Sequence, residues 1–277
     1  MIKNNIKLSD IIYLRKKTNV GILDCKNALI HSNGDIDKSL IYLRKVGAKI
    51  LSNRDINNLN EGIVIIKNDD VNKKSVILTL KCETDFVAQN NKFINLAYDI
   101  ANIAVSNKII EIKDLLKMTL NDISVYDMIL DCISSLGEKI VLHNYNFIDS
   151  DNTSYYMHNN KQIGVITLFN KKFTDIKKIG KYISMQIASM NPIAISIDDV
   201  TESILNTEID IIKSQLSNKY PDNIKNKIIT GKIEKFYREK ILLEQSFIKD
   251  NKITIKSLLQ SIDKNLLIDK FYHHKIK

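Results

Sequence analysis

The side chains able to carry covalent or metal chemistry are few and poorly arranged. The three cysteines, Cys25, Cys82 and Cys132, lie far apart with no CxxC spacing. Such a set fits a reducing compartment, each thiol acting as a small buried hydrophobe. His158 could serve as a base for Cys82 or Cys132, yet no spacing links them. The other histidines are His31, His143 and the adjacent pair His273 and His274. Vicinal residues on a strand face opposite ways, so that pair reads as solvated tail residues rather than metal ligands. No GxxxxGK[ST] phosphate loop, GxGxxG turn, HExxH helix or GxSxG elbow occurs. The residues give no positive case for an enzyme, a cofactor or direct nucleotide binding.

Non-covalent chemistry has a better candidate in Lys81-Cys82-Glu83-Thr84-Asp85-Phe86-Val87-Ala88. Thr84 is a good helix N-cap, and Asp85 in the first turn is favourable against the positive helix end. Phe86 lies seven residues before Phe93, and the turn between them, Gln89-Asn90-Asn91-Lys92, is wholly polar. Its ring either folds back on the preceding strands as a staple or stands exposed as an aromatic anchor, the kind that dominates protein interfaces.

The elements that must position this stretch follow from periodicity. A chain of 277 residues with 44% hydrophobic and 26% charged residues reads as a globular protein of two or three modest domains. Only 8 Gly and 2 Pro favour helix. Leu8, Ile11 and Ile12 share one helical face with Leu14 beside them, and Val20-Gly21 punctuates. Ile22, Cys25, Ala28 and Leu29 then recur at helical spacing. Asn33-Gly34 supplies a turn, Asp35 caps a third helix carrying Ile36, Leu40 and Leu43, and Gly47 is expected to close it. A bundle of under about 50 residues is marginal alone and reads as an interaction module.

Residues 48–61 are polar and Asn-rich, the first plausible linker. The β-rich runs 62–66 and 75–80 predict a hairpin turning at Asn68-Asp69-Asp70. One helix is expected from Thr84 onward, its stripe running Phe93, Leu96, Ala97, Ile100 and Ala104; a second covers Val125 to Leu136 and ends at Gly137. Strands are expected at 139–142, 155–157 and 163–168, then a helix from Thr174 to Met190 stopped by Asn191-Pro192. The segment 200–243 reads as helical with a break near Tyr220-Pro221, followed by a short helix at 254–261 and a β-like run at 266–272. Strand-strand-helix recurs in both halves, and Gly62-Ile63-Val64 echoes Gly164-Val165-Ile166.

The net charge of +9 makes a polyanion such as RNA the alternative class of partner. The lysines are scattered, without interleaved aromatics or Arg clusters, so a solvated surface or an acidic protein partner accounts for them better. No run of about 18 apolar residues could span a bilayer, and Met1-Ile2-Lys3-Asn4-Asn5 has no apolar core behind it to form a signal peptide. The expectation is a cytoplasmic protein with no membrane partner.

An ordered set of motifs narrows the choice. Thr84-Asp85-Phe86-Val87 after a hairpin resembles the signature of the elongation factor Ts family. Leu14-Arg15 through Ala28-Leu29 resembles that family's LRxxTxxGxxxCKxAL pattern. Gly34-Asp35-Ile36 through Leu43-Arg44-Lys45-Val46-Gly47 is similar to its GDxxxAxxxLRxxG, with Ser39 where Ala is usual. Gly137-Glu138-Lys139-Ile140-Val141, Tyr156-Met157-His158, Ile163-Gly164-Val165, Met185-Gln186-Ile187-Ala188 and Gly231-Lys232-Ile233-Glu234-Lys235-Phe236-Tyr237 follow in family order. Gln186 stands where the family often has His, and Ser246 where it often has Pro.

The resemblance implies an α+β fold: an N-terminal three-helix UBA-like bundle (1–50), a linker (51–60), and a two-subdomain core of small antiparallel sheets packed with helices. The subdomains would be 61–138 and 139–277, the latter with a helical insertion at about 199–236. It also implies a guanine nucleotide exchange factor for the GTPase elongation factor Tu, with no catalytic group and no cofactor. Partner-binding residues would be Thr84, Asp85, Phe86 and Val87 at the wedge, Val20, Gly21 and Ile22 at the bundle's turn, and His158 and Gln186.

Overall fold

The computed structural model describes residues 6–55, 59–71, 73–216 and 221–276. Met1–Asn5, part of the expected linker (56–58) and Tyr220 of the expected helix break lie outside them. The described residues form two compact units, one within 1–149, 157–164 and 274–277, the other within 150–156 and 165–273.

The first unit opens with three helices, α1 (Leu8–Thr18), α2 (Ile22–His31) and α3 (Ile36–Asn53). Their core is Ile11, Leu14, Val20, Cys25, Ala28, Leu29 and Leu43. The side chain of Asp35 accepts from the Lys38 amide at 3.0 Å, the N-cap its position predicts. The expected single face of α1 divides: Ile11 and Leu14 are buried, but Leu8 and Ile12 are exposed.

Gly47 does not close α3. The helix continues to Asn53 because Gly47 is a close-approach residue: a Cβ there would lie 2.6 Å from both the Leu130 carbonyl oxygen and Ser134 Oγ. Its missing side chain lets α3 pack directly against a later helix. Ser134 Oγ donates to the Leu43 carbonyl at 2.6 Å, and Arg44 forks onto Asp131 at 2.8 and 3.0 Å.

The sheet of this unit begins with β1 (Glu61–Asp69) and β2 (Lys74–Cys82), antiparallel, with Ile65 opposite Leu78. Asn68 and Asp69 pair with Ser75 and Lys74, so of the expected Asn68-Asp69-Asp70 only Asp70 lies in the turn. The expected single helix after Thr84 is two. A one-turn helix, α4 (Asp85–Ala88), precedes α5 (Asn91–Asn107), which has its own N-cap, Asn90, accepting from the Lys92 amide at 2.9 Å. Extended backbone at Asn90 (φ −71°, ψ 131°) interrupts the helical ladder. In this unit, α6 (Ile112–Lys117) and the short ribbon of β3 (Thr119–Leu120) and β4 (Ile123–Ser124) had no counterpart in the sequence reading.

Then come α7 (Val125–Leu136) and β5 (Val141–Asp149), which pairs with β2 to complete the order β1-β2-β5. The core lies between this sheet and α5 and α7, and includes Leu78, Leu80, Phe93, Ile100, Leu130 and Ile133. His274 belongs to this unit and is buried, not a solvated tail residue: its ring nitrogens lie 2.9 Å from Thr79 Oγ1 and 2.9 Å from Asn146 Oδ1.

Of the remaining strands, β6 (Thr153–Met157) and β7 (Ile163–Phe169) are followed by a π-helical turn, Ile176–Gly180, that leads into α8 (Lys181–Met190). Asn191 ends α8 in the left-handed region (φ 47°). The helices α9 (Glu202–Ser214) and α10 (Asp222–Lys240) follow, then β8 (Ser246–Phe247), β9 (Asp250–Thr254), α11 (Ile255–Ile262) and β10 (Ile268–Lys275). The second three-stranded sheet has the order β10-β7-β6, and the core of the second unit gathers Val165, Phe169, Ile183, Ile187, Leu242, Ile255 and Leu259.

Candidate functional site

The segment around α4 is built by local capping and by a clasp from residues distant along the chain. Thr84 takes extended geometry (φ −122°, ψ 156°), and its hydroxyl accepts from the Val87 amide at 3.4 Å. Four residues cannot sustain a helix alone, since nucleating one turn fixes several torsions for a single hydrogen bond. Support comes from Glu138. One carboxylate oxygen accepts from the Thr84 amide at 3.0 Å and the other from Thr84 Oγ1 at 2.6 Å. Gly137, the α7 C-cap at φ 74°, turns the chain so that Glu138 faces Thr84.

The clasp is reciprocal. Glu83 accepts from the Lys139 amide at 3.3 Å and pairs with the Arg54 guanidinium, while Lys139 Nζ donates to the Arg54 carbonyl at 2.6 Å. Cys82 Sγ donates to the Thr84 carbonyl at 3.2 Å. Val87 and Ala88 are buried against the core, which fixes the other side of the turn.

Asp85 is exposed, and Phe86 is 83% exposed, so its ring is not stapled onto the hairpin. An aromatic ring held in water on an anchored backbone cannot contribute to the core.

The α1–α2 turn is tied to the start of α5 through Lys92, whose Nζ donates to the Thr18 carbonyl at 2.8 Å. Burial lowers the Lys92 pKa. Of the three turn residues, Val20 is a buried member of the bundle core, Gly21 is exposed as the α2 N-cap, and Ile22 is half-exposed. Ile22 lines an open apolar groove of about 310 Å³ with Leu8, Ile11, Ile12, Arg15 and Lys16.

His158 is exposed between β6 and β7, its Nδ1 2.9 Å from Asn160 Oδ1. Gln186, in the second unit, is fully buried. Its Nε2 donates to Gln245 Oε1 (3.1 Å) and to the Ser246 carbonyl (2.9 Å), and its Oε1 accepts from the Ile248 amide (2.8 Å).

All three thiols are buried. Burial first, then the Glu138 and Glu61 charges, pushes Cys82 up to about 12; burial pushes Cys132 up to about 12 and also raises Cys25. A thiol that keeps its proton is a poor nucleophile, and burial disfavours the thiolate at all three positions. Among the described residues, no three His, Cys, Asp or Glu side chains gather in a metal-binding group, and no helix is long and apolar enough to cross a membrane.

Glu138, Glu83, Arg54 and Lys92 were not picked out as site residues. Glu138 stood in the Gly137-Glu138-Lys139-Ile140-Val141 motif and Glu83 in the stretch Lys81 to Ala88, neither with a role attached.

Comparison with known proteins agrees with these motifs. The family model described as Elongation factor TS matches residues 83–276, beginning at the clasp itself. Elongation factor Ts of Christiangramia forsetii is 34% identical over 259 residues, covering 93% of this chain and 94% of that protein. The Porphyromonas gingivalis protein of that name is 35% identical with 95% of each chain covered, and that of Halothermothrix orenii is 36% identical, covering 96% of this chain and 90% of its own. The matched length and identity together place the chain in the elongation factor Ts family.

Proposed function

We propose that this chain binds elongation factor Tu carrying GDP and promotes GDP release, with Phe86 as the wedge. The observation that carries the reading is the 83% exposure of Phe86 on a turn whose backbone is clamped by Glu138. A P-loop GTPase holds its nucleotide through backbone donors, a Lys and a Mg²⁺ bridging phosphate oxygens. Mg²⁺ demands near-ideal octahedral geometry, so a small displacement of its ligands is costly. A wedge that stabilises the displaced arrangement binds it preferentially. By linkage, factor and nucleotide then weaken each other's binding by the same factor. GDP leaves, GTP rebinds, and the factor is expelled. Asp85 would make a polar contact beside Phe86, and the groove lined by Leu8, Ile12 and Ile22 would form a second contact on the bundle. The test is release of a fluorescent GDP analogue from purified elongation factor Tu, comparing the wild-type chain with Phe86→Ala.

A further inference from the structure

The wedge turn has too few residues to hold itself, so its rigidity must be supplied from elsewhere. We infer that Glu138 is the positioning residue of this site, acting on Phe86 by holding Thr84 through two donors at once. The inference rests on the exchange reading above.

Three observations carry it. The Thr84 amide and hydroxyl are the two groups that decide where the first turn of α4 points, and both donate to the same carboxylate, at 3.0 and 2.6 Å. Bonds to an ionised acceptor are roughly twice as strong as neutral ones, and two of them at adjacent atoms fix rotation as well as distance. Glu138 is itself held, since Gly137 ends α7 immediately before it and the Lys139 amide donates to Glu83. The side chain that benefits, Phe86, makes up no part of the core, so the clasp does not serve packing of the ring.

Without the carboxylate, Thr84 keeps its cap bond to Val87 and the bonds its carbonyl accepts from Cys82 Sγ and the Ala88 amide. Its own amide and hydroxyl lose their acceptor, and α4 samples orientations in which Phe86 misses its target. The competent fraction then scales the exchange rate directly. Losing one charge-assisted bond corresponds to about a ten-fold fall in that fraction.

The experiment is a double-mutant cycle on GDP-analogue release from elongation factor Tu, using the full chain as wild type, Glu138→Gln, Phe86→Ala and the double variant. Glu138→Gln should slow release about ten-fold in the wild-type background and have little further effect in Phe86→Ala, because it acts only through the ring. Amide hydrogen exchange of Thr84 and Val87 should speed up in Glu138→Gln with the thermal midpoint nearly unchanged. Thr84→Val repeats the cycle from the other side of the clasp. An equal loss in both backgrounds, or unaltered amide exchange at Thr84 and Val87, would overturn the positioning role while leaving the wedge intact. A Phe86→Ala chain that stimulates release as fast as wild type sinks the wedge instead. A wild-type chain that does not stimulate release sinks the exchange reading. In either case amide exchange judges the clasp independently.

Discussion

A single carboxylate, that of Glu138, takes both hydrogen-bond donors of Thr84, although 54 positions separate the two residues. The one-turn helix that follows thereby inherits a fixed start, and its Phe86 ring stands in water on a backbone with little freedom. Binding energy spent on that ring need not be spent on ordering it.

Gly47 tests the packing of the bundle on the core. Replacing it with Ala improves helix propensity by up to about 1 kcal/mol. The new Cβ would meet the Leu130 carbonyl oxygen and Ser134 Oγ at 2.6 Å, and overpacking of this kind costs roughly 1–3 kcal/mol. The clash should win: Gly47→Ala lowers stability by about 1–2 kcal/mol in urea unfolding. A stabilised variant would mean that α3 and α7 do not approach so closely.

Legibility in the sequence tracked distance along the chain. The caps at Asp35, Thr84 and Gly137 were readable because each bonds within three or four residues. Gly47 was misread because a glycine that ends a helix and one that lets another helix approach look alike until the partner is known. Asn90 was missed as a second cap because a polar turn inside a periodic apolar stripe looks like an exposed helical face. Phe86 was flagged by its separation from Phe93, but the residues that clasp Thr84 and Glu83 before it lie on β5's approach and at the end of α3, which no local pattern reveals.

Gln186 tests the buried polar network of the second unit. Its amide makes three hydrogen bonds, and Gln186→Ala leaves the Ser246 carbonyl, the Ile248 amide and Gln245 without that partner. The expected loss is on the order of 3 kcal/mol in urea unfolding. Because the side chain is fully buried, any effect on partner binding must travel through Ser246–Ile248. Wild-type stability with impaired partner binding would contradict this placement.

The buried thiols predict a pH dependence. Cys82 and Cys132 are pushed from the ordinary 9.0 up to about 12, so the folded chain keeps protons that the unfolded chain has lost. Their contribution to stability is full below pH 9 and is lost as pH rises towards 12. Between pH 8 and about 10.5, stability should fall less steeply in Cys82→Ala than in wild type. A thiol reagent at pH 8 should label all three cysteines only as fast as the chain opens. Rapid labelling of one cysteine in the folded protein, or an unchanged pH slope, would contradict the burial.

The central claim is the wedge, and the most direct measurement is release of a fluorescent GDP analogue from elongation factor Tu at saturating concentrations of this chain. Strong acceleration by wild type, reduced roughly thirty-fold in Phe86→Ala with unfolding unchanged, is the predicted result for a dominant aromatic anchor. Equal acceleration by the two proteins would contradict it, because the exposed ring would then contribute nothing to nucleotide release.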